Sequence, residues 1–206
     1  MSLDALDERT RALVALAAAI AVGDEADLAA QCDACLAAAV PLVWVDELLL
    51  QSTLMVGWPR ALMGAAAWRT AGAAIAFPAE GGDADAPGSW RKRGEDVCRV
   101  IYGRNYDRLR SNVRNLHPAL DEWMVTEGYG RTLGRPGLDL ARRELCIVVQ
   151  VALQGAERQL HSHLRGALHA GATRAAVEQA LNLVRPRLGA REAEILAHLW
   201  NRITGT

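Results

Sequence analysis

A repeat within the chain sets the strongest limit on its fold. The 206 residues repeat at an offset of 132 positions without a gap. Such a repeat restricts the chain to architectures built from two similar units, so it takes priority over local patterns. The matching positions are turn glycines and apolar residues, including Gly23 over Gly155, Leu28 over Leu160, Leu36 over Leu168, Val45 over Val177 and Gly57 over Gly189. These matches predict two units that share one fold.

The apolar composition indicates the kind of unit. Hydrophobic residues make up 51% of the chain and aromatic residues only 5%, so Ala and Leu supply most of the apolar content. Ala and Leu favour helices, whereas β-branched and aromatic residues favour strands. The composition therefore predicts an all-α protein with a sizeable core.

Turn residues divide each unit into helices. In the second unit, Asp139 and Thr173 are suited to cap helices, and Gly171 is suited to end one. Pro186 must break or kink the third helix of that unit. The first unit is predicted to form helices over 7–22, 25–39, 43–56 and 60–76, the second over 139–153, 157–170 and from 173 onward, and the intervening segment over 95–110 and 118–127.

The domain division follows from a change in composition. Residues 1–76 form the predicted first unit, residues 77–93 a linker, and residues 94–206 the second unit. The first part of the linker is rich in Gly, Pro, Ala and Asp, which is typical of a connecting segment. The basic run at 91–93 is interpreted as a solvated edge of this linker, because one triplet is too little for a nucleic-acid patch.

The beginning of the chain and its cysteines predict a cytoplasmic location. Asp4, Asp7 and Glu8 give the start the wrong charge for a signal peptide. The apolar run at 12–22 is shorter than the roughly 20 residues that a membrane-spanning helix needs. The four cysteines are then expected to be free thiols in a reducing compartment. The protein is not expected to bind a membrane or a nucleic acid.

Glu144 and His163 are the candidate catalytic residues. They flank the turn at Gly155, eleven residues before it and eight after it, so an antiparallel helix pair brings them nearly level. The mismatch of three residues is roughly 4.5 Å of helix rise, which a Glu side chain can span. Both lie beside the apolar stripe of their helix, so they are predicted to form a hydrogen-bonded acid/base pair that moves a proton.

The alternative is a Glu–His contact that only satisfies two buried polar groups. The first unit speaks against it, because Ala12 and Gln31 occupy the equivalent positions. The fold therefore does not need Glu and His there.

These residues resemble the carboxymuconolactone decarboxylase family of the AhpD-like superfamily. In the second unit the resemblance lies in Tyr129-Gly130, Arg135-Pro136-Gly137-Leu138, Arg143-Glu144-Leu145, His163-Leu164-Arg165-Gly166-Ala167 and Gly171-Ala172. In the first unit it lies in Glu47-Leu48-Leu49-Leu50-Gln51, followed by Gly57-Trp58-Pro59-Arg60-Ala61.

The resemblance implies an all-α, AhpD-like fold of two tandem repeats and an active site without metal or cofactor. It implies lyase activity, the decarboxylation of a small carboxylated lactone or related acid, with Glu144 and His163 transferring the proton. It also implies assemblies of six repeats, hence a homotrimer. Arg135 and His161 are candidates for binding the substrate carboxylate, since Arg can bind a carboxylate through two hydrogen bonds. The alternative for Arg135 is a structural salt bridge.

Two other functions remain open. The broken third helix of the second unit and the unmatched first unit favour a non-catalytic oligomeric scaffold or binding protein. Cys32 and Cys35 suggest an AhpD-like alkylhydroperoxidase, but they lie within a helix, after the position equivalent to His163. Ala156 and Gln159 occupy the cysteine positions of the second unit.

A zinc site built from His161, His163 and His169 is disfavoured, because His161 and His163 point to different sides of a helix.

Overall fold

Helices make up nearly all of the described chain. The computed structural model describes residues 5–76 and 86–205, and no strand occurs in these two ranges. The predicted all-α class is thus confirmed. The helices are α1 (Glu8–Val22), α2 (Glu25–Ala37), α3 (Leu42–Met55), α4 (Gly57–Thr70), α5 (Pro87–Tyr102), α6 (Tyr106–Leu116), α7 (Pro118–Trp123), α8 (Leu140–Leu153), α9 (Glu157–His169), α10 (Arg174–Val184) and α11 (Ala190–Thr204).

Equivalent side chains begin the first helix of each unit. Asp7 accepts a hydrogen bond from the backbone N–H of Thr10 at 2.7 Å, and Asp139 accepts one from Arg142 at 3.0 Å. Such caps satisfy N–H groups that have no partner within the helix. Thr173 caps α10 in the same way, as its position predicts.

The two units pack around α1 and α8. Helix α1 contacts α2, α3 and α4, and α8 makes the equivalent contacts with α9, α10 and α11. Between the units α1 packs on α8, α3 reaches α8, and α10 reaches α1. Arg142 donates to the hydroxyl of Thr10 at 2.8 Å, so two equivalent positions face each other. The predicted two-repeat arrangement is therefore confirmed.

The third helices of the two units differ as Pro186 predicts. Helix α10 ends at Val184 and continues as a 3-10 turn at Arg185–Arg187, whereas α3 runs on to Met55.

The segment between the units departs from the predicted helices. The helix expected over 95–110 is interrupted at Gly103, whose φ of 51° and ψ of −129° end α5 and redirect the chain through a 3-10 turn into α6. The second expected helix ends at Trp123 and continues as a π-helix, Met124–Leu133. In this segment Tyr129 is buried, whereas Trp123 stays exposed.

Glycines allow α5 to approach the π-helix closely. A Cβ at Gly94 would lie 2.0 Å from the carbonyl oxygen of Val125, and one at Gly130 would lie 2.1 Å from that of Trp90. Neither space admits a side chain. The close approach places Tyr102, at the end of α5, beside Tyr129.

The predicted domain boundaries remain a prediction. Residues 77–85 of the linker lie outside the described residues, and α5 begins at Pro87, inside the range assigned to the linker. Part of the basic run forms ion pairs from this helix: Arg91 binds Glu122, and Lys92 binds Asp96. Within the described ranges no helix has the length and apolarity to cross a membrane.

Candidate active site

Glu144 on α8 and His163 on α9 are in direct contact. His163 Nδ1 lies 2.9 Å from Glu144 Oε2. The Glu144 side chain is fully buried, and 8% of the His163 side chain remains exposed. The contact predicted by counting residues from the turn at Gly155 is therefore confirmed.

The Glu144 carboxylate fits between α8 and α9 because Gly166 lies opposite. A Cβ at Gly166 would lie 2.7 Å from Glu144 Oε2 and 2.8 Å from the side chain of Ile101. Helix α5 therefore covers this part of the pair. The space over Gly166 is filled by the carboxylate and by Ile101.

The second carboxylate oxygen has an unusual environment. Glu144 Oε1 is buried and has no hydrogen-bond partner among the described residues. The negative charge of the carboxylate raises the pKa of three nearby groups, Cys98, Tyr102 and Tyr129. Burial raises the pKa of both tyrosines, and the nearby Glu144 charge raises them further. The Tyr129 hydroxyl donates to the Tyr102 hydroxyl at 3.0 Å.

The Glu144–His163 contact distinguishes the two ring nitrogens of His163. An ionised carboxylate only accepts hydrogen bonds, so it holds the hydrogen on Nδ1 of His163. Nε2 is then the ring nitrogen that the carboxylate leaves unbound. A carboxylate that orients an imidazole in this way is a common arrangement for acid/base chemistry.

The first unit has no such pair. Gln31, at the position equivalent to His163, donates to Asp27 on its own helix at 3.3 Å. Asp27 also binds Arg187 of the second unit. Ala12, at the position equivalent to Glu144, packs against the hydrophobic core. The Glu–His contact therefore belongs to the second unit alone among these equivalent positions.

The two candidate substrate-binding residues lie in different places. His161 lines a groove between α9 and the α5–α6 turn, where Arg202 donates to its Nε2 at 3.4 Å. Arg135 lines another cavity, and its Nε donates to both carboxylate oxygens of Glu47, at 3.1 and 3.2 Å. The structural salt bridge considered as the alternative for Arg135 is therefore present.

Glu47 belongs to a buried charged cluster that the sequence analysis did not identify. Arg143 on α8 is fully buried and donates to Glu47 Oε2 at 2.8 Å. It also donates to Gln51 and to the backbone carbonyls of Arg135 and Leu138. Burial lowers the pKa of Arg143, and the Glu47 carboxylate opposes that shift. The cluster joins α3 of the first unit to α8 of the second.

The cysteines are buried in apolar surroundings. Cys32, Cys35, Cys98 and Cys146 are all free thiols with no exposed surface. Burial raises the pKa of Cys32 to about 11 and that of Cys35 to about 12, and the negative charge of Asp33 adds to the shift at Cys32. A redox-active cysteine needs the opposite, an accessible thiol with a lowered pKa.

We expect the native protein to resist thiol reagents. At pH 8 a thiol with the pKa of Cys32 is ionised in roughly one molecule in a thousand. Labelling with Ellman's reagent should therefore show almost no reaction until denaturant is added, and then four thiols per chain. Fast labelling of one or two thiols in the native protein would contradict the buried arrangement. A Cys32→Ser variant identifies whether that site is responsible.

The histidines considered for zinc have separate partners. His163 contacts Glu144, His161 contacts Arg202, and Nδ1 of His169 donates to the carbonyl of Ile101 at 2.8 Å. Within the described residues no group of three His, Cys, Asp or Glu side chains is placed to hold a metal ion.

Comparison with models of protein families identifies a family that this chain matches. The model of the carboxymuconolactone decarboxylase family matches residues 1–70 and 118–199. The two matched segments contain α1–α4 and nearly all of α8–α11, and they leave out α5 and α6. A search of curated proteins finds no match.

Proposed function

The chain belongs to the carboxymuconolactone decarboxylase family, and from this membership we propose that it is a cofactor-free lyase that decarboxylates a small carboxylated lactone or related acid. One observation carries the proposal: a buried Glu144–His163 contact occurs in the second unit, and the first unit forms the same helices without it. The pair is therefore not required for the helices to pack, which supports a chemical role.

The proposed reaction needs a proton at one carbon atom. When the bond to the carboxylate carbon breaks, CO₂ leaves and its bonding electrons remain on the substrate as a carbanion or enolate. His163 delivers a proton to that carbon from Nε2. Glu144 is a positioning residue that holds the imidazole and balances its charge.

His161 is proposed to contact the substrate carboxylate from the exposed side of α9. Arg135 was the other candidate for this role, and it would have to leave Glu47 to take part. The homotrimer and the cytoplasmic location are likewise proposals that follow from the family resemblance and the sequence.

The test is a turnover assay with γ-carboxymuconolactone. We expect the wild-type protein to consume the lactone and His163→Ala to lose activity by about 10²–10⁴-fold, the usual contribution of a positioned acid/base group. His198→Ala is a matched control, because His198 lies exposed on α11. Its activity should equal that of the wild type.

Each failure has a distinct meaning. Inactive wild-type protein would reject this substrate and, if related acids also fail, would favour the non-catalytic scaffold. Equal activity of His163→Ala and wild type would reject the site. Peroxide-dependent thiol oxidation that Cys32→Ser abolishes would favour the alkylhydroperoxidase, which the buried thiols do not support.

A further inference from the structure

A basic groove of about 560 Å³ lies between the end of α5, the following turn and α6 on one side and α9 on the other. Its charged lining consists of Arg104, Arg108, Arg158, His161, Arg165 and His169, and none of the acidic residues in the described part of the chain contributes to it. The whole chain has a formal net charge of −1, so this concentration of positive charge is local.

The groove arginines differ from most other arginines of the chain in their lack of a close acidic partner. None of Arg104, Arg108, Arg158 and Arg165 forms an ion pair with a described residue. The opposite face of α6 differs, because Arg110 and Arg114 both bind Asp121. Asp107, the acidic residue of α6, lines a separate cavity together with Arg110. The sequence therefore balances the charge of one face of α6 and leaves that of the groove face unbalanced.

Contacts across the groove hold its walls together. His169 on α9 donates from Nδ1 to the carbonyl of Ile101 on α5 at 2.8 Å, which leaves its Nε2 available. Tyr102 lines the floor, and its hydroxyl is bonded to Tyr129. Neutral side chains that can donate hydrogen bonds complete the lining: Asn105, Asn112 and Ser162. Cationic and amide donors around one cavity are suited to an anion with several oxygens.

Positive charges near the groove also affect the pKa of His161. Burial lowers its pKa, and the positive charges of Arg202 and Arg165 lower it further. A bound anion would offset this field.

One wall of the groove lies outside the residues that the family model matches. Arg104 and Arg108 fall between the two matched segments, which end at residue 70 and resume at residue 118. The other wall, on α9, lies within the second segment. The groove therefore combines a helix of the family fold with a segment particular to this chain.

We propose that this groove binds a small polyanion, either an organic phosphate or a di- or tricarboxylate, through the four arginines. His161 is part of this lining, so for His161 the inference rests on the carboxylate-binding role proposed above. The groove itself is defined by charge and geometry, so binding can be measured without turnover.

The test is isothermal titration calorimetry of the full chain in a buffer without phosphate, with inorganic pyrophosphate and citrate as separate probes. We expect saturable binding of at least one probe, and affinity that falls as salt is raised. Arg108→Gln/Arg165→Gln should weaken binding by at least about tenfold, since charge-assisted hydrogen bonds are lost on both walls. Pyrophosphate binding alone would indicate a phosphate ligand, and citrate binding alone a carboxylate ligand.

The matched control is Arg9→Gln/Arg11→Gln, which removes the same charge from exposed positions on α1 that do not line the groove. It should bind as the wild type does. Equal weakening in both double variants, or no saturable binding of either probe, would overturn the inference. Anion binding without lyase activity would contradict the proposed function and support the anion site. Lyase activity without anion binding would support the proposed function and contradict the anion site.

Discussion

Glu47→Leu is expected to lower the free energy of unfolding by about 3–5 kcal/mol, because it leaves the Arg143 guanidinium buried without a counter-charge. Arg143 has no exposed surface, so its charge cannot reach water without opening the interface between the units. Its remaining partners, Gln51 and backbone carbonyls, are neutral. Arg135 also loses Glu47, but its side chain is 16% exposed and can turn towards solvent.

Chemical denaturation of a double-mutant cycle measures this effect. Arg143→Met alone leaves the Glu47 carboxylate with Arg135, so we expect a smaller loss than that of Glu47→Leu. The double variant Glu47→Leu/Arg143→Met should recover most of the loss, because two apolar side chains then replace a buried ion pair.

Asp96→Asn is the surface control for the cycle. It breaks the exposed ion pairs of Asp96 with Lys92 and Arg99, which should cost less than about 1 kcal/mol. If Glu47→Leu costs no more than this control, the cluster does not hold the two units together.

The fold was predictable where one local pattern repeats. Asp7 and Asp139 cap equivalent helices, and the turn at Gly155 fixes how far α8 and α9 overlap. That overlap determines the contact between Glu144 and His163. A hairpin of two helices involves few choices, so counting residues along it was enough.

The neighbours of Glu144 from α5 were not predictable in this way. Tyr102 lies in a segment with no counterpart in the first unit and outside the matched family segments. No periodicity specifies that a π-helix would bring Tyr129 to it. The basic groove was missed for the same reason, because one wall belongs to this segment.

The charged cluster left a signal in the sequence. Asp46 and Glu47 stand in the middle of the otherwise apolar α3, and a charged residue in an apolar helix needs a buried partner. Asp46 binds Arg69 and the backbone N–H of Ala76 within its own unit. Glu47 binds Arg135 and Arg143, which are 88 and 96 positions away in the sequence. The need for a partner can thus be inferred from the sequence, but the identity of Arg143 requires the packing of α3 on α8.

Glu144→Gln is expected to lower kcat/KM for the proposed reaction by about 10²–10³-fold, and His163→Ala by at least as much. The reason is that Gln keeps the volume of Glu but removes the charge that holds the Nδ1 hydrogen of His163. If the two residues act as one unit, the double variant should lose scarcely more than His163→Ala alone.

A structural role would give a different result. If Glu144 only fills the space over Gly166, Glu144→Gln should leave kcat unchanged and alter only the melting temperature. Glu144→Asp separates these readings, because it keeps the charge but withdraws the carboxylate by one methylene from a contact of 2.9 Å. The proposed role predicts that kcat falls with Asp as well, while KM changes little.

Gln31→Ala provides the matched control, since Gln31 occupies the position of His163 in the first unit. Among the residues that the structure describes, its side chain bonds only to Asp27 on its own helix. It should leave kcat/KM at the wild-type value. Losses from Glu144→Gln and His163→Ala that multiply in the double variant would mean that the two side chains act independently. The 2.9 Å contact would then not be the arrangement that transfers the proton.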